Sequence, residues 1–347
     1  MKAIRYSWIL ILLVQSTTSF GQVCGESPSG IMVSTIHPKG TWMFSYTYMS
    51  MMMKDKLVGT TKVDDQYVYN NYLMSPQSMR MDMHMLMAMY GVTDRFNLMA
   101  MFNVNIMKMN MNMFSSNGTM TMPDGSVMTT PNGSSTMNPT TSGLGDTKLY
   151  ALYSLLKNNG HFVILSGGIS IPTGTINKKG GTDEMMYYGI RLPYMMQCGS
   201  GTFDFMPGAT YVMKKNKITY SAQLLSVLRP FNNSVGYHLG NELTFNTWAA
   251  YQWFPWMSSS VRLESYNCGV IKGSDPQVYT VMEPAANPLC YGGNRVSGYA
   301  GINFFITKGW LHNNKFSVEY GLPFYQNLNG LQLSTHSTLF ASWTIVL

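Results

Sequence analysis

Charge is scarce in this chain. Charged residues make up only 11% of its 347 positions, against about 25% in an ordinary soluble domain. That argues against a charged soluble enzyme. Long apolar runs are missing too. After residue 20 no stretch approaches the roughly 20 apolar residues that a membrane-spanning helix needs, which excludes a helical membrane protein. Cysteine is sparse, with Cys24, Cys198, Cys268 and Cys290 and no CxxC pair. The six histidines lack the HxxxH or HExxH spacing of zinc sites. No Gly-x-Ser-x-Gly elbow occurs, and Gly199-Ser200-Gly201 has no strand–helix unit of a dinucleotide site behind it. No enzyme and no resident cofactor are expected. The net charge of +7 includes Lys2 and Arg5 of a leader, and the remainder is too weak and too evenly spread to imply a nucleic-acid partner.

The start of the chain gives a compartment. Lys2 and Arg5 precede a short apolar stretch, Trp8 to Val14, and Ser19 and Gly21 supply small residues before a cut at Gln22. Residues 1–21 therefore read as a secretory signal peptide. The apolar run is too short for a membrane anchor. Residues 22–40 are expected as a periplasmic N-terminal segment, and 41–347 as one barrel domain.

From residue 41 onward, short period-2 segments alternate with Gly, Asn, Pro and Ser clusters, the pattern of an all-β protein. Many segments carry one apolar, aromatic-ended face and one polar face. In an exported chain this fits a transmembrane antiparallel β-barrel, whose strands face lipid outward and water inward and whose sheet must close to pair its backbone. About twelve strands are expected: 41–53, 79–90, 96–113, 145–156, 161–171, 202–213, 217–228, 241–253, 259–267, 295–306, 315–322 and 333–347. Short and long connections alternate, as between periplasmic turns and outer loops, and an even number puts both termini in the periplasm. The last strand presents Leu339, Ala341, Trp343, Ile345 and Leu347 on one face, a barrel-closing pattern that makes outer-membrane lipid and the barrel-assembly machinery the expected partners. A soluble β-sandwich would need a more charged outer face.

Methionine is abundant, and 22 of the 32 lie between Met43 and Met137. Three roles compete: a lipid-facing hydrophobe, an adaptable packing residue, or a soft thioether ligand for Cu(I) or Ag(I). Strand alternation bears on this. Over 96–107 the even positions are Phe, Leu, Ala, Phe, Val and Ile, and the odd ones Asn and Met. The even face suits lipid, so Met99 and Met101 face the lumen. If Tyr90 pairs with Phe96 across the 91–95 turn, Met85, Met87 and Met89 oppose them and share their face. In the first strand Met43, Met49, Met51 and Met53 lie opposite an aromatic face. A methionine wall on the lumen is the favoured reading. It sets Arg80, Asp82 and His84 outward, which is tolerable only where that end of the strand rises above the hydrocarbon. Met83, His84 and Met85 are the expected mixed N/S metal point. Met109, Met111, Met113, Met120 and Met122, running into the loop after the third strand, are the expected thioether ligands.

Asp146, Lys148, Glu242, Arg262, Glu264 and Glu319 fall on the lumen face, either as a charge-selective constriction or as a paired ionic filling. Cys268 and Cys290 flank one Gly/Pro/Asn-rich segment. They form either a loop disulfide in an oxidising compartment or two thiols. The segment 54–73 mixes Lys, Asp and Tyr and is expected as a solvated outer loop.

Gly30 to Met32, Pro38 to Gly40, Trp42 to Tyr46, Met81 to Met85, Tyr90 to Arg95, Ile171 to Gly174, Leu192 to Thr202, Gly321 to Gln326 and Asn329-Gly330 together resemble the Met-rich, transporter-like outer-membrane barrels grouped as the phenol-degradation meta-pathway family. The resemblance covers most of the mature chain. It implies a bacterial outer-membrane β-barrel that passes small solutes. Two functions are carried forward: a channel for small apolar or aromatic solutes, and a metal-handling surface protein that binds Cu(I) or Ag(I).

Overall fold

The computed structural model describes residues 27–113, 118–121, 127–130, 135–180 and 189–347. The signal peptide lies outside them. The chain forms one antiparallel sheet closed on itself. Its elements are β1 (Trp42–Gly59), β2 (Met74–Gly91), β3 (Phe96–Met113), β4 (Thr147–Asn158), β5 (His161–Ile171), β6 (Asp204–Lys215), β7 (Ile218–Val227), β8 (Glu242–Phe254), β9 (Met257–Cys268), β10 (Gly293–Ile306) and β11 (Asn314–Val346). A short strand, Thr140–Leu144, prolongs β4 upward along β3.

The ring closes through β11, which is 33 residues long and folds back on itself. Residues 314–328 pair with β10, whereas 331–346 pair with β1. The two halves meet where Ser317 Oγ lies 2.7 Å from Ser342 Oγ and where Trp343 Nε1 donates to Asn314 Oδ1 at 2.6 Å. The turn between them is Asn329-Gly330, with Gly330 at φ +64°. The eleven elements therefore make twelve staves, the number expected from the alternating pattern.

Closure is what membrane insertion requires, since lipid offers no partner for a free sheet edge. The outward face supplies the apolar belt. Leu86, Leu98, Phe102, Leu155, Val261 and Val318 all point out and are exposed. Aromatic rings collect at the end of the barrel with the short turns: Trp42 beside Tyr90 at 4.7 Å, Phe254 on Trp256 at 5.3 Å and Phe316 on Trp343 at 6.4 Å. Such a girdle marks a membrane interface. The Asn159-Gly160 turn has φ +43° and +82°, the two positive angles a tight two-residue hairpin demands. A closed barrel with this belt and girdle is built for the bacterial outer membrane.

Charges on the outward face sit where the belt ends. Ten residues separate Tyr90 from Arg80. At about 3.4 Å per residue and a tilt near 45°, that is about 24 Å, the height of the apolar band. Arg80 Nε pairs with Asp82 at 2.9 Å, and the Tyr48 hydroxyl donates to Asp82 at 2.7 Å.

The strands rise further than the sequence suggested. β1 runs on to Gly59 and β2 begins at Met74, with a five-residue helix, Asp65–Tyr69, between them. The expected solvated loop is in part buried: Lys56 is 8% exposed and pairs with Asp65 at 2.8 Å. Ser75 and Gln77 also donate to Asp65.

Candidate functional site

Register fixes the methionine positions. Met43, Met89 and Met99 are direct neighbours across β1, β2 and β3, as are Met51, Met81 and Met107, and Met53, Met79 and Met109. Directly opposed side chains have Cβ atoms about 4.5–5.5 Å apart, so each trio is a row of adjacent thioethers. Met85, Met87 and Met101 lie between the lowest row and the two upper ones, and Met74, Met111 and Met113 above them. Inward and outward positions differ sharply. Met43, Met53, Met85, Met89, Met99 and Met101 are buried, and Met49, Met51 and Met87 are half-buried. No described methionine is exposed. The exposed outward hydrophobes are Leu, Phe, Val, Ile, Tyr and Trp, and Met213 and Met257 lie half-buried on the same face near the short turns.

The opposite wall, from β8 to β11, is ionic and paired. Arg262, 3% exposed, faces Glu319, 1% exposed. Two parallel bonds join them, Nε–Oε1 at 2.8 Å and Nη2–Oε2 at 3.1 Å. Arg262 Nη1 also reaches Glu264 and Asn246, both at 2.9 Å, and its guanidinium covers the Tyr299 ring at 3.7 Å. Arg295 reaches Glu264 at 3.3 Å. Higher up, Arg229 pairs with Asp204 at 3.2 Å and with Glu242 at 2.7 Å. Asp146 accepts from the Gly174 N–H at 2.9 Å and from the Ser200 N–H and Oγ, each at 2.7 Å. Lys148 faces inward beside Met101 and makes no ion pair among the described residues.

The N-terminal segment differs from expectation. Its described part, 27–40, does not hang free in the periplasm but turns up into the barrel mouth. The Gly30 N–H donates to Glu319 Oε2 at 2.8 Å. Gln223 Nε2 donates to the Met32 carbonyl at 2.8 Å, and Lys315 Nζ to the Ser27 carbonyl at 2.6 Å. Asn97, fully buried, brackets His37: its amide accepts from the His37 N–H at 2.7 Å and donates to the His37 carbonyl at 3.0 Å. Val33 packs in one cluster with Met43, Met85, Met89, Met99 and Met101. The segment enters because its apolar side chains find the lower methionines and its backbone finds polar partners on the facing wall. Burial pushes the His37 imidazole down to about 4, and its Nε2 lies 3.1 Å from Met43 Sδ.

At the other end two outer connections fold over the barrel. Leu192, Met196 and Cys198 from 172–203, and Met282 from 269–292, pack on the upper methionines. Asn105 Nδ2 donates to the Cys198 carbonyl at 3.1 Å, and Thr141 Oγ1 to the Met196 carbonyl at 2.9 Å. A buried Arg191–Asp275 pair joins the two connections. Between this roof and the N-terminal segment lies a cavity of about 490 Å³. Met51, Met53, Met81, Met83, Met107, Met195 and Cys198 line it together with Asp146 and Lys148 next to β3, while Asp204, Arg229, Glu242 and Arg295 come from the other strands and their connections.

Several expected site residues are placed differently. Successive side chains in a strand point to opposite faces, so His84 turns away from Met83 and Met85. Its Nδ1 meets the Tyr46 hydroxyl at 2.7 Å on the outer surface. Met109, Met111 and Met113 belong to β3 and to the buried cluster rather than to an outer loop. Met122 lies outside the described residues, and only the backbone of Met120 is described. Cys268 and Cys290 are separate buried thiols. Cys268 Sγ contacts the Gly269 carbonyl at 3.5 Å, while Cys290 Sγ faces the Tyr72 hydroxyl at 3.6 Å. The two sulfurs face different neighbours. Sequence reading passed over Asn97, Gln223 and His37, since nothing in their local pattern marks them as docking groups.

No protein-family model matches the chain, and no curated protein matches it. Among solved structures, the fold is similar to that of the COG4313 outer membrane channel from Pseudomonas putida F1, with a TM-score of 0.59, 15% identity, and coverage of 92% of this chain and 99% of that one. A Pseudomonas aeruginosa FadL homologue matches more distantly, with a TM-score of 0.43 and 10% identity over 88% of this chain and 90% of that one. The fold class is thus that of outer-membrane β-barrels.

Proposed function

We propose that the protein is an outer-membrane channel for small solutes of apolar or aromatic character, and not an enzyme. The observation that carries this reading is the central cavity of about 490 Å³, with thioethers on one side and a nearly fully paired ionic wall on the other. That volume lies within the range of small-molecule sites. Thioethers adapt to irregular solutes and contact aromatic rings at about 0.3–1.5 kcal/mol each, whereas the charges opposite are already engaged. The similarity in fold to a protein described as an outer membrane channel supports the class. Assembly would use the barrel-assembly machinery through the closing half of β11.

The test is flux into liposomes of a small phenol compared with a sugar of similar size. The phenol should pass faster, and replacing Met51, Met81 and Met107 by Ser should reduce that preference. Equal rates for both solutes, or a preference unmoved by the substitutions, would refute the reading.

A further inference from the structure

Among the described residues, the lowest methionine row is where a histidine nitrogen meets the sulfur wall. Met43, Met89 and Met99 are direct cross-strand neighbours, and all three are buried in one cluster. His37 comes from the N-terminal segment and is held by Asn97 through its backbone on both sides. That grip aims its ring at the row: Nε2 stands 3.1 Å from Met43 Sδ. No other side-chain partner of the His37 imidazole occurs among the described residues.

We infer that His37, Met43, Met89 and Met99 form a binding site for a soft monovalent cation, Cu(I) or Ag(I). Thioether and imidazole are both neutral donors. Thioether sulfur selects soft ions over Mg²⁺, Ca²⁺ and Mn²⁺, which take oxygen ligands. No carboxylate belongs to the set, so the site carries no charge to hold a divalent ion. Three sulfurs from adjacent strands, each two bonds beyond a Cβ spaced about 4.5–5.5 Å from the next, can converge on one point by rotamer change alone. The imidazole closes the set from the segment's side.

The site has two halves. The sulfurs belong to the barrel wall and the nitrogen to the segment that fills its mouth. A bound cation therefore ties the segment to the wall, and by linkage a docked segment raises affinity for the cation by the same factor. Cation binding and closure of the mouth favour each other. This needs no assumption about which solute the channel carries, so failure of the flux experiment leaves it standing.

The experiment uses Ag⁺, which needs no reductant, and the full mature chain with all four cysteines replaced by Ser, since thiols would bind the ion themselves. Titration in detergent is combined with X-ray absorption at the silver edge and with protease protection of residues 27–40. The expected result is a saturable site with sulfur and one nitrogen around silver, and slower cleavage of the segment when Ag⁺ is bound. His37→Gln should remove the nitrogen signal, weaken binding at least tenfold and abolish the protection. Met43→Leu, Met89→Leu and Met99→Leu together conserve volume and should do the same while the barrel still folds. His84→Gln, on the outer surface, should change nothing. Sulfur-only coordination in the parent chain would overturn the inference. So would Ag⁺ binding and segment protection that survive both His37→Gln and the triple Leu replacement.

Discussion

Glu319 performs two jobs, and they separate experimentally. Its carboxylate neutralises Arg262 through two bonds of 2.8 and 3.1 Å and accepts from the Gly30 N–H at 2.8 Å. Glu319→Gln keeps the shape and removes the charge. Taking one partner from a buried ion pair costs about 3–5 kcal/mol. Arg262 retains Glu264 and Asn246, each at 2.9 Å, so the loss should fall near 3 kcal/mol, or about a hundredfold in the unfolding equilibrium. Replacing both partners, as Arg262→Met with Glu319→Leu, should return stability to within about 1 kcal/mol of the parent, because buried pairs exchanged for packed apolar groups are often neutral. Glu264 stays satisfied by Arg295 at 3.3 Å and by the Tyr299 hydroxyl at 3.2 Å. The double variant still denies Gly30 its acceptor. A hydrogen bond to a charged group is worth about 1.5–3 kcal/mol, so the N-terminal segment should dock at least tenfold more weakly.

Two assays read the two effects. Urea unfolding in detergent, followed by the gel shift between folded and unfolded barrel, reports stability. Conductance in planar bilayers reports the segment. The single variant should be destabilised, while the double variant should be stable and more conductive. An unchanged urea midpoint in Glu319→Gln would refute the ion-pair argument. A double variant with parental conductance would refute the idea that Glu319 holds the segment.

Deleting residues 27–36 should raise single-channel conductance while the barrel still assembles, since Lys39 and Gly40 keep their bonds to Asp94 and Gly91; parental conductance would show that the segment does not occlude the mouth. Burial pushes the Asp65 carboxyl up, but Lys56, Ser75 and Gln77 outweigh it and hold it below its ordinary value of 3.8. A depressed carboxylate stabilises above the unfolded value and loses this as pH falls through the folded one. An acid protease should therefore cut the 60–73 segment only below that ordinary value, and Asp65→Asn should remove the dependence; cleavage with no acid onset in the parent would contradict the assignment. Because Cys268 and Cys290 stand apart as thiols, a reductant should leave thermal stability unchanged, and a maleimide should label them only after unfolding; a reductant-sensitive melt would reinstate the disulfide.

The barrel was legible in the sequence because lipid on one side and a packed interior on the other enforce a strict period of two. The 96–107 alternation separates the exposed Leu98, Phe102 and Val104 from the buried Met99 and Met101, and the register across the 91–95 turn brings Met85 and Met89 into the same buried cluster. The same rule set His84 outward, yet chain proximity still suggested it as a partner of Met83 and Met85. In a strand, neighbours in sequence are on opposite faces, and ligand sets come from neighbours in register. The docking of 27–40 left no such trace. Its ties run to the carbonyls of Ser27 and Met32 and to the N–H of Gly30, and every residue has those groups. The roof over the barrel was hidden for a similar reason, since Asn105 and Thr141 reach main-chain carbonyls of Cys198 and Met196.

The distribution of methionine argues against its being a generic hydrophobe in this chain. A barrel that merely preferred Met would place it on the lipid face as well, where the requirement is only for apolar area. That face carries mainly Leu, Phe, Val, Ile, Tyr and Trp; Met213 and Met257 lie on it, half-buried near the short turns, and no described methionine is exposed. Leucine would fill the interior as well and with better-defined rotamers. What methionine adds inside is a flexible, polarisable sulfur, and it is repeated in rows on three adjacent strands while the facing strands hold paired ions. A solute or ion moving through the barrel would find the ionic wall already satisfied and, apart from Lys148, few charges free to engage it. The sulfur side is the one left able to change its contacts, so any selectivity of the lumen is expected to depend on the methionine rows first.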